Sequence, residues 1–312
     1  MNESKFSLAD LLIVLGALGF GFFCFLSLNF LSLGETSQSI IVATIIALIL
    51  GGLAFGAKLL KKTSRNFKTC IIWEWILLFL FAVVALLAIF PFSHYFTVIK
   101  QKDEIQRNMT SNINQSIDMF ARYEEYATNR EDIYKSDLNS VVSAKNVNPS
   151  EYRDYGFVNG TPDKEQVENK MFTLHAQLFP TNYEGEGGIK EVATNWLVSA
   201  KRTLDNKWAF TFGIVDIVKD AKTNITDWNN KLIKFSSFKA DGENAEDFKF
   251  SITYDDVTNK IKNNYGPSIL TIVYALLFYL LMLMSYFIST RHTRYPGVKL
   301  LFGTSSIREN EL

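Results

Sequence analysis

The sequence predicts a mainly α fold: a polytopic membrane protein with four transmembrane helices and an α-rich periplasmic domain inserted between helices three and four. Three observations predict it. Four apolar runs, about 9–33, 39–59, 71–92 and 268–289, each reach the roughly 20 residues that a helix needs to cross about 30 Å of hydrocarbon. One polar block, about 97–266, lies between the third and fourth runs and is long enough for a core of its own. The basic residues between the runs are unevenly placed, although the chain carries 32 basic and 32 acidic residues and a formal charge of zero. That balance excludes the whole chain as a polyanion binder.

The expected division is three transmembrane helices within 1–92, a periplasmic domain over 93–267, a fourth transmembrane helix over 268–289 and a short cytoplasmic tail over 290–312. The first run reads as a retained signal anchor. Its apolar core is too long for a cleavable signal, no A-x-A site follows, and MNESKFSLAD carries two acids and one lysine. Basic residues near membrane ends stay on the cytoplasmic side. Lys58, Lys61, Lys62, Arg65 and Lys68 cluster between runs two and three, and Arg291, Arg294, Lys299 and Arg308 follow run four. Gly34-Glu35-Thr36-Ser37-Gln38, between runs one and two, has no base. The pattern places both termini in the cytoplasm and the polar block outside, with 58–68 as a topogenic basic loop. Anionic head groups add to the hold of that loop, and pinning at both ends argues against nucleic acid.

Within the second run Ser39, Ala43, Ala47 and Gly51 recur at four-residue spacing, and Gly52 and Gly56 form GxxxG. Small residues on one helical face allow close backbone approach in lipid, which predicts a packed bundle or a homo-oligomer contact. The third run opens on Trp73-Glu74-Trp75, an expected interfacial anchor with Glu74 near head groups or Lys68. Its alternative is a buried acid in a proton path. No ionisable partner is evident at depth in the other runs, which disfavours a transporter. Pro91 is expected to end the third helix.

The polar block holds 22 basic and 26 acidic residues and no cysteine; Cys24 and Cys70 lie elsewhere. A cysteine-free domain of this kind fits a bacterial periplasm, and the missing disulfides separate the chain from tetraspanins. Ile105, Met109, Ile113, Ile117, Phe120, Ile133 and Leu138 recur mostly at steps of three or four, which predicts a long helix continuing the third run outward as a stalk. A second helix is expected after Thr161 as cap and Pro162 at the first position. IKEVATNWLVSAKRTL reads as a third, and Trp208 to Phe235 as one or two more. FKFSITY, Phe248 to Tyr254, alternates like a short strand.

No catalytic, cofactor-binding or metal-ligating set is evident. His94, His175 and His292 are far apart, with no HExxH and no cysteine pair at metal spacing. Asp241, Glu243, Glu246 and Asp247 lack the ligand order of an EF-hand and read as a solvated loop. The tail motif YPGVKLLFG, with Val298 to Phe302 at its centre, suits either a cytoplasmic partner or the membrane surface.

The layout of four crossings with a helical block before the last resembles the TssN family, as do MFARYEEYATNREDIYKSDL, KMFTLHAQLFP and YPGVKLLFG. TssN is a multi-pass inner-membrane component of a variant type VI secretion system of one Gram-negative phylum. The resemblance implies a non-enzymatic scaffold of a trans-envelope secretion complex. It implies cytoplasmic apparatus at the loop and tail, periplasmic partners at 93–267, and no cofactor. Read from the residues alone, the chain is a membrane scaffold, and the competing class is a periplasmic sensor that signals through a separate cytoplasmic partner. The topology has a direct check. A reporter fused at Asn159 is expected to be active only in the periplasm, and cytoplasmic activity there would reverse the arrangement.

Overall fold

The computed structural model describes residues 8–63, 67–263, 266–292 and 305–306. Ten helices follow in order among them: α1 Leu8–Ser32, α2 Thr36–Lys62, α3 Phe67–Lys100, α4 Lys102–Ser143, α5 Pro149–Asp154, α6 Asp163–Leu178, α7 Ile189–Asp205, α8 Lys207–Ser236, α9 Asp255–Lys262 and α10 Ile269–Ile288. The only strand pairing among the described residues joins Arg291–His292 to Ser305–Ser306. The chain divides into two units, Met1–Asp103 with Asn259–Leu312, and Glu104–Thr258.

The first unit contains four helices long and apolar enough to cross a membrane: α1, α2, α3 over Thr69–Lys100, and α10. Their outward faces carry exposed Leu15, Leu18, Ile41, Leu48, Phe79, Leu87, Leu277 and Leu280. So much bare apolar surface suits lipid rather than water. The inner faces meet through small residues. A Cβ on Gly21 of α1 would lie 2.8 Å from the Ala47 Cβ of α2, and one on Gly51 would lie 3.2 Å from the Ala17 Cβ. Ser39, Ala43 and Ala47 are buried on this seam. Gly56 instead approaches Leu77 of α3, and a Cβ on Gly52 would meet nothing within 4 Å. The GxxxG pair therefore does not act as one face within the chain. Rings fill the space above the seam. Phe20 stacks on Phe92 at 4.6 Å between centroids, and Phe278 and Tyr279 lie against the same ring.

Pro91 does not end the third helix; α3 continues through it to Lys100. Ser27 of α1 bonds the turn that follows: its hydroxyl accepts a hydrogen bond from the Tyr95 N–H at 2.7 Å and donates to the Phe92 carbonyl at 3.4 Å. The carbonyl that Pro91 leaves without its helical donor is that of Leu87, one turn earlier.

In the second unit α4 is buried along one face by Ile105, Met109, Ile113, Ser116, Phe120, Tyr123, Ala127, Arg130, Tyr134, Leu138 and Val141. The expected stripe differs at two positions. Ile117 and Ile133 lie off it, at 36% and 64% exposure, and the polar residues Ser116, Arg130 and Tyr134 take their places. Burial along its whole length makes α4 the core helix of this unit rather than a bare stalk. The segment from Trp208 to Phe235 falls within one helix, α8. Pro162, not Thr161, is the N-cap of α6, without a side-chain bond. The Thr161 carbonyl instead accepts from the Gln166 amide.

Phe248 to Tyr254 is extended but belongs to no sheet. No second strand lies beside it among the described residues, and side chains bond its backbone instead. Ser236 Oγ accepts from the Phe248 N–H, and the amides of Asn229 and Asn112 donate to the carbonyls of Phe250 and Thr253. Alternation survives because Phe248 and Tyr254 face the core while Lys249, Ser251 and Thr253 face out.

The seam sets a paired expectation. Gly21→Val overpacks it by about 1–3 kcal/mol and lowers the thermal midpoint of the detergent-purified chain by several degrees. Gly52→Val leaves the midpoint unchanged. Equal midpoints for the two variants would contradict the packing described.

Candidate functional site: a buried ionic cluster at one end of the bundle

Five charged side chains lie buried together at one end of the four-helix bundle. Asp10 is in the first turn of α1, Lys58 and Lys61 in the last turns of α2, Glu74 in α3, and Arg291 just beyond α10. Because the four helices alternate in direction, these sequence-distant positions come to one level. Their exposures run from 1% for Lys61 and Glu74 to 4% for Arg291.

The bonds form two connected groups. Lys58 Nζ pairs with the Asp10 carboxylate, and Ser285 Oγ of α10 donates to the same oxygen at 2.7 Å. Arg291 donates to both oxygens of Glu74, to Oε2 at 2.5 Å, and the Tyr286 hydroxyl donates to Oε1 at 2.6 Å. Lys61 belongs to the second group. Its ammonium donates to the Tyr286 carbonyl at 2.8 Å and lies 4.4 Å from the centre of the Tyr286 ring. Both carboxylates thus have a full positive partner and a hydroxyl donor, as buried ions require.

Several expected site residues take different places here. Lys58 and Lys61 belong to helix α2, facing inward, and Lys62 is exposed. Arg65 lies outside the described residues, as do Arg294, Lys299, Arg308 and the motif at Val298 to Phe302; Lys68 lies in α3 with its side chain undescribed. Trp73 and Trp75 are exposed at 54% and 46%, whereas Glu74 between them points inward to Arg291. Glu74 was expected near head groups or Lys68, and its partner is instead Arg291, which follows the fourth apolar run. Asp10, one of the two acids of MNESKFSLAD, is buried against Lys58. One sequence signal was available: in α2 Lys58 and Lys61 share a face with Ala47, Ala54 and Ala57.

This arrangement holds helices together. Toward the bundle centre the buried side chains are Ala17, Phe20, Leu50, Phe81, Ala85, Ala275, Tyr279 and Met282. No charged group is buried among these described residues. At the opposite end His94 bonds the Ile261 carbonyl through Nε2 at 2.8 Å.

The second unit has a single buried guanidinium, Arg130, among its described residues. All five of its N–H donors are used. Two go to Glu243, at 2.5 Å and 2.7 Å, two to the carbonyls of Ser236 and Phe238, and one to the Tyr126 hydroxyl at 3.2 Å. Burial opposes the Arg130 charge, and the hydrogen bonds to Glu243 and Tyr126 outweigh it, so its pKa lies above the ordinary value. Of the expected solvated acidic loop, Asp241, Glu246 and Asp247 are exposed and pair at the surface with Lys170, Lys249 and Lys239, and Glu243 alone is drawn inward by Arg130. His175 bonds Glu131 at the surface. No group of three metal-ligating side chains occurs among the described residues.

Comparison with family models, curated proteins and solved structures returns no match.

Breaking one buried pair leaves its partner charged and alone. Glu74→Ala is expected to cost about 3–5 kcal/mol, whereas Glu74→Leu combined with Arg291→Leu recovers most of that loss. Thermal unfolding in detergent reads both, and a double variant no better than the single one would contradict the pairing.

Proposed function

We propose that the chain is a non-enzymatic scaffold of the bacterial inner membrane. In this reading it is a TssN-like part of a type VI trans-envelope secretion complex, with the Glu104–Thr258 unit in the periplasm and both termini in the cytoplasm. The observation that carries the reading is the use of the buried polar side chains. In the bundle Asp10, Lys58, Lys61, Glu74 and Arg291 bind one another or a helix backbone. In the inserted unit Arg130 binds the segment after α8. These side chains fix one arrangement of the chain, as a scaffold requires.

The orientation rests on the bases near the membrane ends. Lys58 and Lys61 contribute to that bias during insertion and to internal pairing afterwards. Apparatus on the cytoplasmic side would meet the α2–α3 connection and the tail, and envelope proteins would meet the inserted unit. The small faces not used within the chain, such as Gly52, leave room for a second copy.

Affinity purification of the full chain from mildly solubilised membranes tests this reading. Secretion-apparatus or periplasmic components are expected in fixed proportion by mass spectrometry. A chain recovered alone, or with a kinase-like partner, would overturn the scaffold reading in favour of a sensor.

A further inference from the structure

The Glu104–Thr258 unit carries a cleft of about 380 Å³ beside the Arg130 clasp. One wall is a face of α4 bearing Asn129, Ile133 and Asp137; the other is the turn Gly242–Glu246, and Tyr155 also lines it. Clefts of this volume take small organic ligands.

Charge is the first guide to the ligand. The lining holds Asp137, Glu243 and Glu246 against a single base, Arg130. Arg130 neutralises Glu243, and Lys249 pairs with Glu246. Asp137 is half-buried and has no ion-pair or hydrogen-bond partner among the described residues. The field at the neighbouring phenol agrees. Burial raises the Tyr155 pKa, and the Asp137 and Glu151 carboxylates raise it further. An anion would meet repulsion here, and a hard metal ion would find one free carboxylate where it needs several oxygen ligands.

Shape is the second guide. Ile133 is 64% exposed and lies off the stripe by which α4 packs, so it offers the cleft an apolar wall. The opposite wall is fixed in place. Arg130 grips Glu243 and the Phe238 carbonyl, and the Tyr134 hydroxyl donates to the Asp241 carbonyl at 3.1 Å. Gly242, at φ 75°, lies so close to the Tyr155 ring that a Cβ would stand 2.5 Å from it. A pocket held this way pays little ordering entropy on binding.

We propose that this cleft binds a small organic cation, an alkylammonium or alkylguanidinium, with its charged head at Asp137 and its methylene chain along Ile133. The site is independent of the scaffold reading: it concerns one face of the inserted unit and requires no partner protein.

Isothermal titration of the full chain in mild detergent tests it, with agmatine and putrescine as probes and 1,4-butanediol and succinate as neutral and anionic controls. Saturable binding of at least one cation is expected, with no binding of either control. Asp137→Asn weakens that binding by about tenfold or more through loss of a charge-assisted bond. Ile133→Lys, which places its own ammonium in the cleft, abolishes it. Asp132→Asn, outside the cleft on the same helix, leaves binding unchanged. The thermal midpoints of the Asp137 and Ile133 variants stay at the wild-type value, because both positions are at least partly exposed. The proposal is overturned if neither cation binds below about 10 mM, a free energy too small for a specific site, or if Asp137→Asn binds as tightly as the wild type.

Discussion

The fold of the membrane unit depends on the pairing of charge at one end of the bundle. Asp10, Lys58, Glu74 and Arg291 are all nearly inaccessible, so none can be left without a partner. Each pair joins elements distant in sequence: Asp10 to Lys58 ties α1 to α2, and Glu74 to Arg291 ties α3 to the residue group after α10. Ser285 and Tyr286 extend both pairs to α10 itself. Lipid supplies little hydrophobic drive between helices, so close packing and directional bonds must select the arrangement. The small-residue seam supplies the first through Gly21, Ala47 and Gly51, and the ionic cluster supplies the second.

The inserted unit solves a similar problem with one residue. A stretch without helix or ladder would leave its backbone groups unpaired. Arg130, buried on the core face of α4, reaches the last carbonyl of α8 and, in that stretch, the Phe238 carbonyl and the Glu243 carboxylate at once. The asparagines of α4 and α8 do the same farther along. Both units thus use a few hydrogen-bonded polar side chains to fix chain segments that apolar packing alone would leave free. That economy is the physical basis for reading the protein as a scaffold.

Much of this was legible in the sequence. Long apolar runs locate α1, α2 and α10 within a few residues, because the thickness of hydrocarbon sets the length, whereas α3 runs on past its apolar run to Lys100. The small-residue spacing in α2 points to Ala43, Ala47 and Gly51, which the seam does use. Other features were hidden for identifiable reasons. Lys58 and Lys61 look like loop residues because windows of hydropathy end where charge begins, although α2 runs on to Lys62. Glu74 reads as a partner of head groups or Lys68 because Arg291 is 217 residues away. Pro91 looks like a stop because proline lacks the N–H of the helical ladder, yet α3 runs through it to Lys100. Phe248 to Tyr254 alternates like a strand, since one face packs inward, yet alternation says nothing about whether a ladder partner exists.

The central claim is that Lys58 and Lys61 are interior side chains of the bundle rather than members of a solvated loop. Lysine labelling measures this directly: a water-soluble amine reagent is applied to the folded chain in mild detergent, and modified sites are read by fragment mass spectrometry. The account predicts rapid modification of Lys62, with Lys58 and Lys61 protected until the protein is unfolded. Similar rates at all three lysines would contradict it.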